Sequence, residues 1–253
     1  MSSIWYVIIF SLLGGVVSLL GGILLFSGKK RAYKLADYAT PFAAGALLAA
    51  AFLELLDEAL HEGEPDAVLR YVLAGIIIFF VLESTLVWFH HHHNHKDKHI
   101  DPAVPMIIVG DTVHNFIDGI AIAAAFLINV PTGIITTMAI AAHEIPTEIG
   151  DMGLLLSKGY TRKKVFIINI LSALATTVAA IIFYYVGSAN MDLIAGLAAL
   201  TAGFFIYIAA SDIIPTIHEE TNKRTLRIKT ILLVVGVLVV GTATTVAHKF
   251  IEG

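Results

Sequence analysis

The sequence predicts an all-α integral membrane protein, a single transmembrane domain over residues 1–253 in which eight helices cross the bilayer. Three observations carry that reading. The chain is 57% hydrophobic and only 14% charged, with mean hydropathy +0.83, whereas a soluble domain carries about 25% charged residues. Eight segments reach the roughly 20 mostly apolar residues that a helix needs to cross the hydrocarbon core. The basic residues, finally, gather in alternate connections between those segments.

The spans follow in order. The first covers about 4–26; its opening, MSSIWYVIIF, lacks the basic region of a cleaved signal peptide and reads as the start of a retained helix. The second covers about 38–60 and ends at the polar turn HEGEPD, and the third, about 68–89, runs into HHHHNHKDKH. The fourth, about 104–128, and the fifth, about 132–157, are joined by a tight turn at Asn129, Val130 and Pro131. SKGYTRKK leads to the sixth at about 165–187, the seventh follows at about 193–217, and HEETNKR precedes the eighth at about 228–249. No connection is long enough for a second domain. With no cysteines, disulfides and thiolate metal sites are excluded.

Lys and Arg concentrate in cytoplasmic loops. Of the 16 here, all except Arg70 and Lys249 follow spans one, three, five or seven. Both termini are therefore expected outside the cytoplasm, in a multi-pass protein of the cell membrane.

Polar residues inside the spans distinguish the chain from a passive bundle. In span four Asp111, His114, Asn115 and Asp118 fall on one helical face. An Asp at mid-membrane costs about 2.5–3.5 kcal/mol on the insertion scale, so two in one span call for a cation, a partner or water. Span five carries His143, Glu144, Glu148 and Asp151. Pro146 has no N–H, so the carbonyl of Ala142 loses its helical partner beside His143. Counting from Pro131, Asp118 and His143 both lie roughly 18–20 Å from the turn at 1.5 Å per residue. Imidazoles, an amide and carboxylates thus share one level on antiparallel neighbours, the composition of a divalent-cation site. Mixed imidazole and carboxylate ligands suit zinc and related transition metals, while magnesium and calcium prefer oxygen alone.

Elsewhere, Asp212 and His218 in and beyond span seven suggest a path. Glu54 and Asp57, followed by Glu58, His61 and Glu62, make either an acidic entrance or an ordinary polar helix end. Glu83 has no partner that the sequence names. The loop residues His90, His91, His92, His93, His95 and His99 have the composition of a weak metal-binding tract facing the cytoplasm; a merely solvated loop is the other reading.

HNFIDGIAIAAAF in span four and HEIPTEIGD in span five resemble the paired signatures of the Zrt/Irt-like (ZIP) metal transporters, and the likeness extends over essentially the whole chain. The resemblance implies an inverted repeat, spans one to three mirrored by six to eight around the four–five pair. It also implies an elevator-like shift of spans one, four, five and six against two, three, seven and eight. A binuclear site is implied as well, one metal on His114, Asp118 and His143 and a second on Asn115, Asp118, Glu144 and Asn169, with Asp111, Asp151, Asp212 and His218 along the pathway. The chain departs from the motif at Thr147, where the closest subgroup has a second His; either Glu148 replaces that ligand or the site is mononuclear with looser selectivity. No cofactor is expected: Zn2+ or a similar dication is the transported substrate, with iron, manganese and cadmium as alternatives. The expected partners are divalent ions, the lipid bilayer and a second copy in a homodimer, with nothing pointing to nucleic acid. A metal-gated channel or sensor shares these features. An intramembrane metalloprotease would need HExxH, which Thr147 breaks, so no enzyme is expected.

Overall fold

The computed structural model describes the backbone of residues 3–92, 103–187 and 191–252. The side chains at 3, 16, 86–92, 103–104, 106–107, 191–192, 212 and 247–252 are outside that description. Asp212 and the loop histidines His90, His91, His92, His93, His95 and His99 therefore lie outside the described side chains.

Eight helical rods appear in the predicted order. α1 is Ser3–Ser27. α2 runs from Lys29–Ala50 through a π-helical turn, Ala51–Leu55, into Leu56–Glu62. α3 is Pro65–His92, α4 Ala103–Ile128, α5 Val130–Ser157 and α6 Arg162–Gly187. α7 begins as Met191–Tyr207, passes through a second π-helical segment, Ile208–Ile213, and ends as Ile214–His218. α8 is Lys223–Glu252.

Seven of these rods are long and apolar enough to cross a membrane among the described residues; α5 is the exception. Its 28 residues give about 42 Å at 1.5 Å per residue, ample for a crossing. What lowers its hydropathy is His143, Glu144, Glu148 and Asp151, all on one rod. That rod can sit in a membrane because α1, α2 and α4 enclose it, keeping its polar face off lipid. α3 and α8 lie at the opposite extreme, with only 17% of their apolar windows buried in the protein, so they form the lipid-facing flanks.

The chain reversals have local causes. Asn129 is extended (φ −159°, ψ 165°) and its side-chain oxygen accepts from the Thr132 N–H at 2.8 Å, capping α5. Its amide meanwhile donates to Glu58 Oε1 at 3.1 Å, tying the α4–α5 turn to the end of α2. Gly159 ends α5 at φ 88°, the left-handed conformation that glycine adopts without a Cβ penalty. At the end of the bundle where α8 starts, Lys229 bridges Asp37 of α2 at 2.5 Å and Glu220 at 3.3 Å.

Two packing groups emerge. α1, α4, α5 and α6 contact one another, while α2 and α7 pack together with α8 on α2 and α3 on α7; the main seam between the groups is α2 on α5, with α4 on α7. The pairings are also symmetric: α3 on α7 matches α8 on α2, and α1 on α5 matches α6 on α4. Glycines set the crossings. A Cβ on Gly45 would strike the Leu233 carbonyl and one on Gly236 the Phe42 carbonyl, while Gly75 and Gly203 meet backbone to backbone between α3 and α7. Bare backbone contact of this kind lets membrane helices approach closely and gain dispersion energy.

Glycine position decides tolerance. Gly45→Val should destabilise the detergent-solubilised protein by about 1–3 kcal/mol or more through overpacking. Gly150 has nothing within 4 Å of an added Cβ, so Gly150→Ala should be neutral or gain up to about 1 kcal/mol. Thermal unfolding of the two variants beside the native chain checks the contrast.

Candidate metal centre

α4 and α5 run antiparallel from the Asn129 turn, so positions equidistant from it face each other. His143 Nε2 lies 3.5 Å from Asp118 Oδ2 and 3.5 Å from Glu144 Oε1. His114 Nε2 lies 3.1 Å from Glu144 Oε1, 4.0 Å from Asp118 Oδ2 and 2.9 Å from His143 Nε2. One ligand atom from each of these four residues falls within 4.8 Å of all the others. Ligands held 2.0–2.2 Å from a tetrahedral zinc stand about 3.3–3.6 Å apart, a spacing these separations bracket.

The surroundings favour that use. His143 Nδ1 faces the Ala139 carbonyl at 3.4 Å; a carbonyl only accepts, so Nδ1 carries the proton and Nε2 presents its lone pair. Asp118, His143 and Glu144 are 1–3% exposed. Among the described residues no donor makes a hydrogen bond to either oxygen of Asp118 or Glu148, or to Oδ1 of Asn169. Ionised carboxylates are acceptors only and are costly to bury without a counter-charge. A dication supplies both the charge and the missing bonds.

A second convergence lies one helical turn along. Asp111, Glu144 and Glu148 each place an oxygen within 4.8 Å of the others, and Glu144 belongs to both groups. Asp111, which the sequence assigns to the pathway, thus joins a ligand group. The signal was present: Asp111 is three residues before His114 on α4, and Glu148 four after Glu144 on the antiparallel α5.

The amides behave differently from one another. Asn115 donates to Asp111 Oδ1 at 2.9 Å and its oxygen accepts from Thr176 Oγ1 at 2.9 Å, so it braces Asp111 from α6. Nothing in the motif points to Thr176. Asn169 donates to the Val165 carbonyl at 2.8 Å, which leaves its buried Oδ1 free to accept. Thr147 bonds back to the His143 carbonyl at 3.0 Å and joins neither ligand group.

Two cavities reach this centre from the same end of the bundle, where α4 begins and α5 ends. One, of about 280 Å³, is lined by Asp111, His114, Thr147, Asp151 and Glu83 among others; the other, of about 320 Å³, by Thr40, His114, His143, Pro146, Thr147 and Ile213. Glu83 has its partner here, accepting from Tyr207 Oη at 2.6 Å. Toward the opposite end Ala121, Ile122, Ala123, Ala124 and Ala125 are 0% exposed and the core is continuous. The acidic patch read from α2 is narrower than the sequence implied. Glu54 falls in the π-helical turn and is 0% exposed, Asp57 and Glu58 are half-buried, and His61 and Glu62 remain exposed at the helix end. His218 is exposed at the end of α7.

A family model described as "ZIP Zinc transporter" matches residues 2–105 and 90–244. Similar curated proteins include zinc transporter ZIP10 of Danio rerio, 40% identical over 132 residues, covering 51% of this chain and 16% of that protein. Zinc transporter ZIP6 of Homo sapiens is 36% identical over 128 residues, 50% of this chain and 17% of its own length. Zinc transporter zipt-7.2 of Caenorhabditis elegans is 38% identical over 121 residues, 46% of this chain and 26% of its own. The chain thus spans a quarter or less of the length of the first two of these relatives.

Binding at the centre should be visible as stability. Zinc at 100 times its dissociation constant should stabilise the folded chain by about 2.7 kcal/mol, read as a raised unfolding temperature in detergent. Protons compete for imidazole and carboxylate alike, so the shift should shrink as pH falls from about 7.5 to 5.5, across the ordinary histidine range.

Proposed function

Because the chain belongs to the ZIP zinc transporter family, we propose that it carries divalent metal, zinc foremost, across the cell membrane into the cytoplasm. Iron, manganese and cadmium are the other candidate cargoes. The family is one of transporters rather than enzymes. The observation that carries the reading is the convergence of His114, Asp118, His143 and Glu144 on one buried point at the seam of two helical groups.

In this reading the four side chains hold the ion, with Asn169 offering its free oxygen. The basic end of the bundle is cytoplasmic and both termini face outward. The cavities beside His114 and Thr147 are then the cytoplasmic exit, which Asp151 lines, and His218 is exposed at the end of α7. The packed alanines of α4 close the external side. A site open to one side and sealed on the other supports alternating access over a continuous pore, and the division into α1/α4/α5/α6 and α2/α3/α7/α8 supplies two bodies that can slide. Bare glycine contacts lie mostly inside each body, at α2–α8, α3–α7 and α4–α6, where they would keep each body rigid. The α2–α5 seam is where the sliding would occur.

The test is zinc uptake into proteoliposomes. His143→Ala and Asp118→Ala should each cut uptake at least about tenfold, the loss expected when a metal ligand goes, with unchanged elution and folding. Undiminished uptake in both would sink the site. Native uptake should saturate with zinc concentration; a linear dependence would favour a channel.

A further inference from the structure

Resting on the reading above that α1, α4, α5 and α6 slide as one body against α2, α3, α7 and α8, we infer that Asn129 and Glu58 form a latch across the outer end of the seam. The latch holds the chain in its inward-open arrangement and breaks before the metal centre can open outward.

The position of the pair carries the inference. Asn129 sits in the turn between α4 and α5, in one body, and Glu58 near the end of α2, in the other. The Asn129 amide donates to Glu58 Oε1 at 3.1 Å. The other bonds described above between side chains of different helices stay inside one body: Thr176 to Asn115, Tyr207 to Glu83 and Lys229 to Asp37. Those survive a shift of the bodies. The Asn129–Glu58 bond does not, since about 1 Å of sliding takes it past hydrogen-bond length.

The turn is built to aim the amide. Asn129 Oδ1 accepts from the Thr132 N–H and from Thr132 Oγ1, both at 2.8 Å. With its oxygen fixed in the cap of α5, the amide nitrogen is left to reach α2. Glu58 is half-buried there, and a carboxylate acceptor makes a stronger bond than a neutral one.

The latch also stands at the sealed end. On α4, Gly110, Val113, His114 and Ile117 line the 280 Å³ cavity together with Phe79 and Leu82 of α3. Ala121 and Ala124 continue that stripe by helical periodicity toward Asn129, and both are 0% exposed. One face of α4 is thus open on the cavity side of the metal centre and closed on the other. Asn129 ties the seam just beyond the closure.

The chain has no cysteine, so introduced thiols report without background. In the full chain in lipid nanodiscs, Ala124→Cys should react with a maleimide when the outer end opens. Adding Asn129→Asp keeps the oxygen that caps α5 and removes the donor. Labelling should then rise about fivefold, the shift in population that one ordinary hydrogen bond supplies. Adding Glu58→Gln as well restores a donor from across the seam, and labelling should fall back to the native rate. Ala179→Cys, buried beside Gly119 inside one body, should label at one rate in every background. A parallel rise there, an unchanged rate at Ala124→Cys with Asn129→Asp, or no return with Glu58→Gln would each overturn the latch. A second construction tests the sliding itself. Glu58→Cys with Asn129→Cys, bridged by a short bifunctional methanethiosulfonate in proteoliposomes, should stop zinc uptake, and reduction should restore it. Uptake that persists while bridged would strike the sliding reading; arrested uptake with unchanged labelling would strike the latch alone.

Discussion

Four carboxylates buried in the middle of an apolar bundle set the terms for everything around them. Asp118, Glu144 and Glu148 are almost wholly enclosed and Asp111 nearly so. Their oxygens find few donors among the described residues. Several kilocalories per mole oppose each such charge in a medium without water. The bundle must therefore deliver cations or protons to this level, and it must also shield the helix that carries the charges. For this reason α5, among the described rods, lacks a stretch apolar enough to read as a span, and it is the one held between α1, α2 and α4.

The scaffold that does the shielding is built from two kinds of contact. Within each group of helices, glycine brings backbone against backbone: Gly75 against Gly203, Gly45 and Gly236 between α2 and α8, and Gly119 against Thr176 between α4 and α6. Between the groups, side chains meet along α2 and α5, with Asn129 reaching Glu58 at one end. A packed glycine crossing has one good geometry. A side-chain seam has several, which suits the sliding proposed for it. The paired π-helical turns in α2 and α7 occupy matching places in the two repeats. Each turn widens its helix by one residue beside the seam and rotates the residues that follow it.

At the centre, helices α4, α5 and α6 cooperate residue by residue. Thr176 of α6 fixes Asn115, Asn115 fixes Asp111, and the Ala139 carbonyl turns the His143 imidazole so that Nε2 faces His114. These contacts hold ligand atoms in place without supplying their charge. The result is two neighbouring groups of side chains that share Glu144 and differ in donor chemistry, with imidazoles in one and only carboxylate oxygens in the other.

Much of this was legible in the chain itself. Runs of about 20 apolar residues mark seven of the eight rods as crossings because a bilayer has a fixed thickness, and α5 was legible as a rod from its length and its turn to α4. Helical periodicity puts Asp111, His114, Asn115 and Asp118 on one face, and counting from the Asn129 turn brings Asp118 level with His143, because rise per residue is constant. Tertiary structure decided what periodicity cannot reach: which atom of each side chain turns toward which neighbour, and what lies across from it on another rod. Thr176 beside Asn115 and Tyr207 beside Glu83 are contacts between helices distant in sequence, and no local pattern encodes them. The burial of Glu54 depends on a π-helical turn that shifts the helical phase, and the grouping of Asp111 with Glu148 on side-chain direction along two antiparallel rods. Spacing along one helix is a local property; meeting across helices is set by packing of the whole bundle.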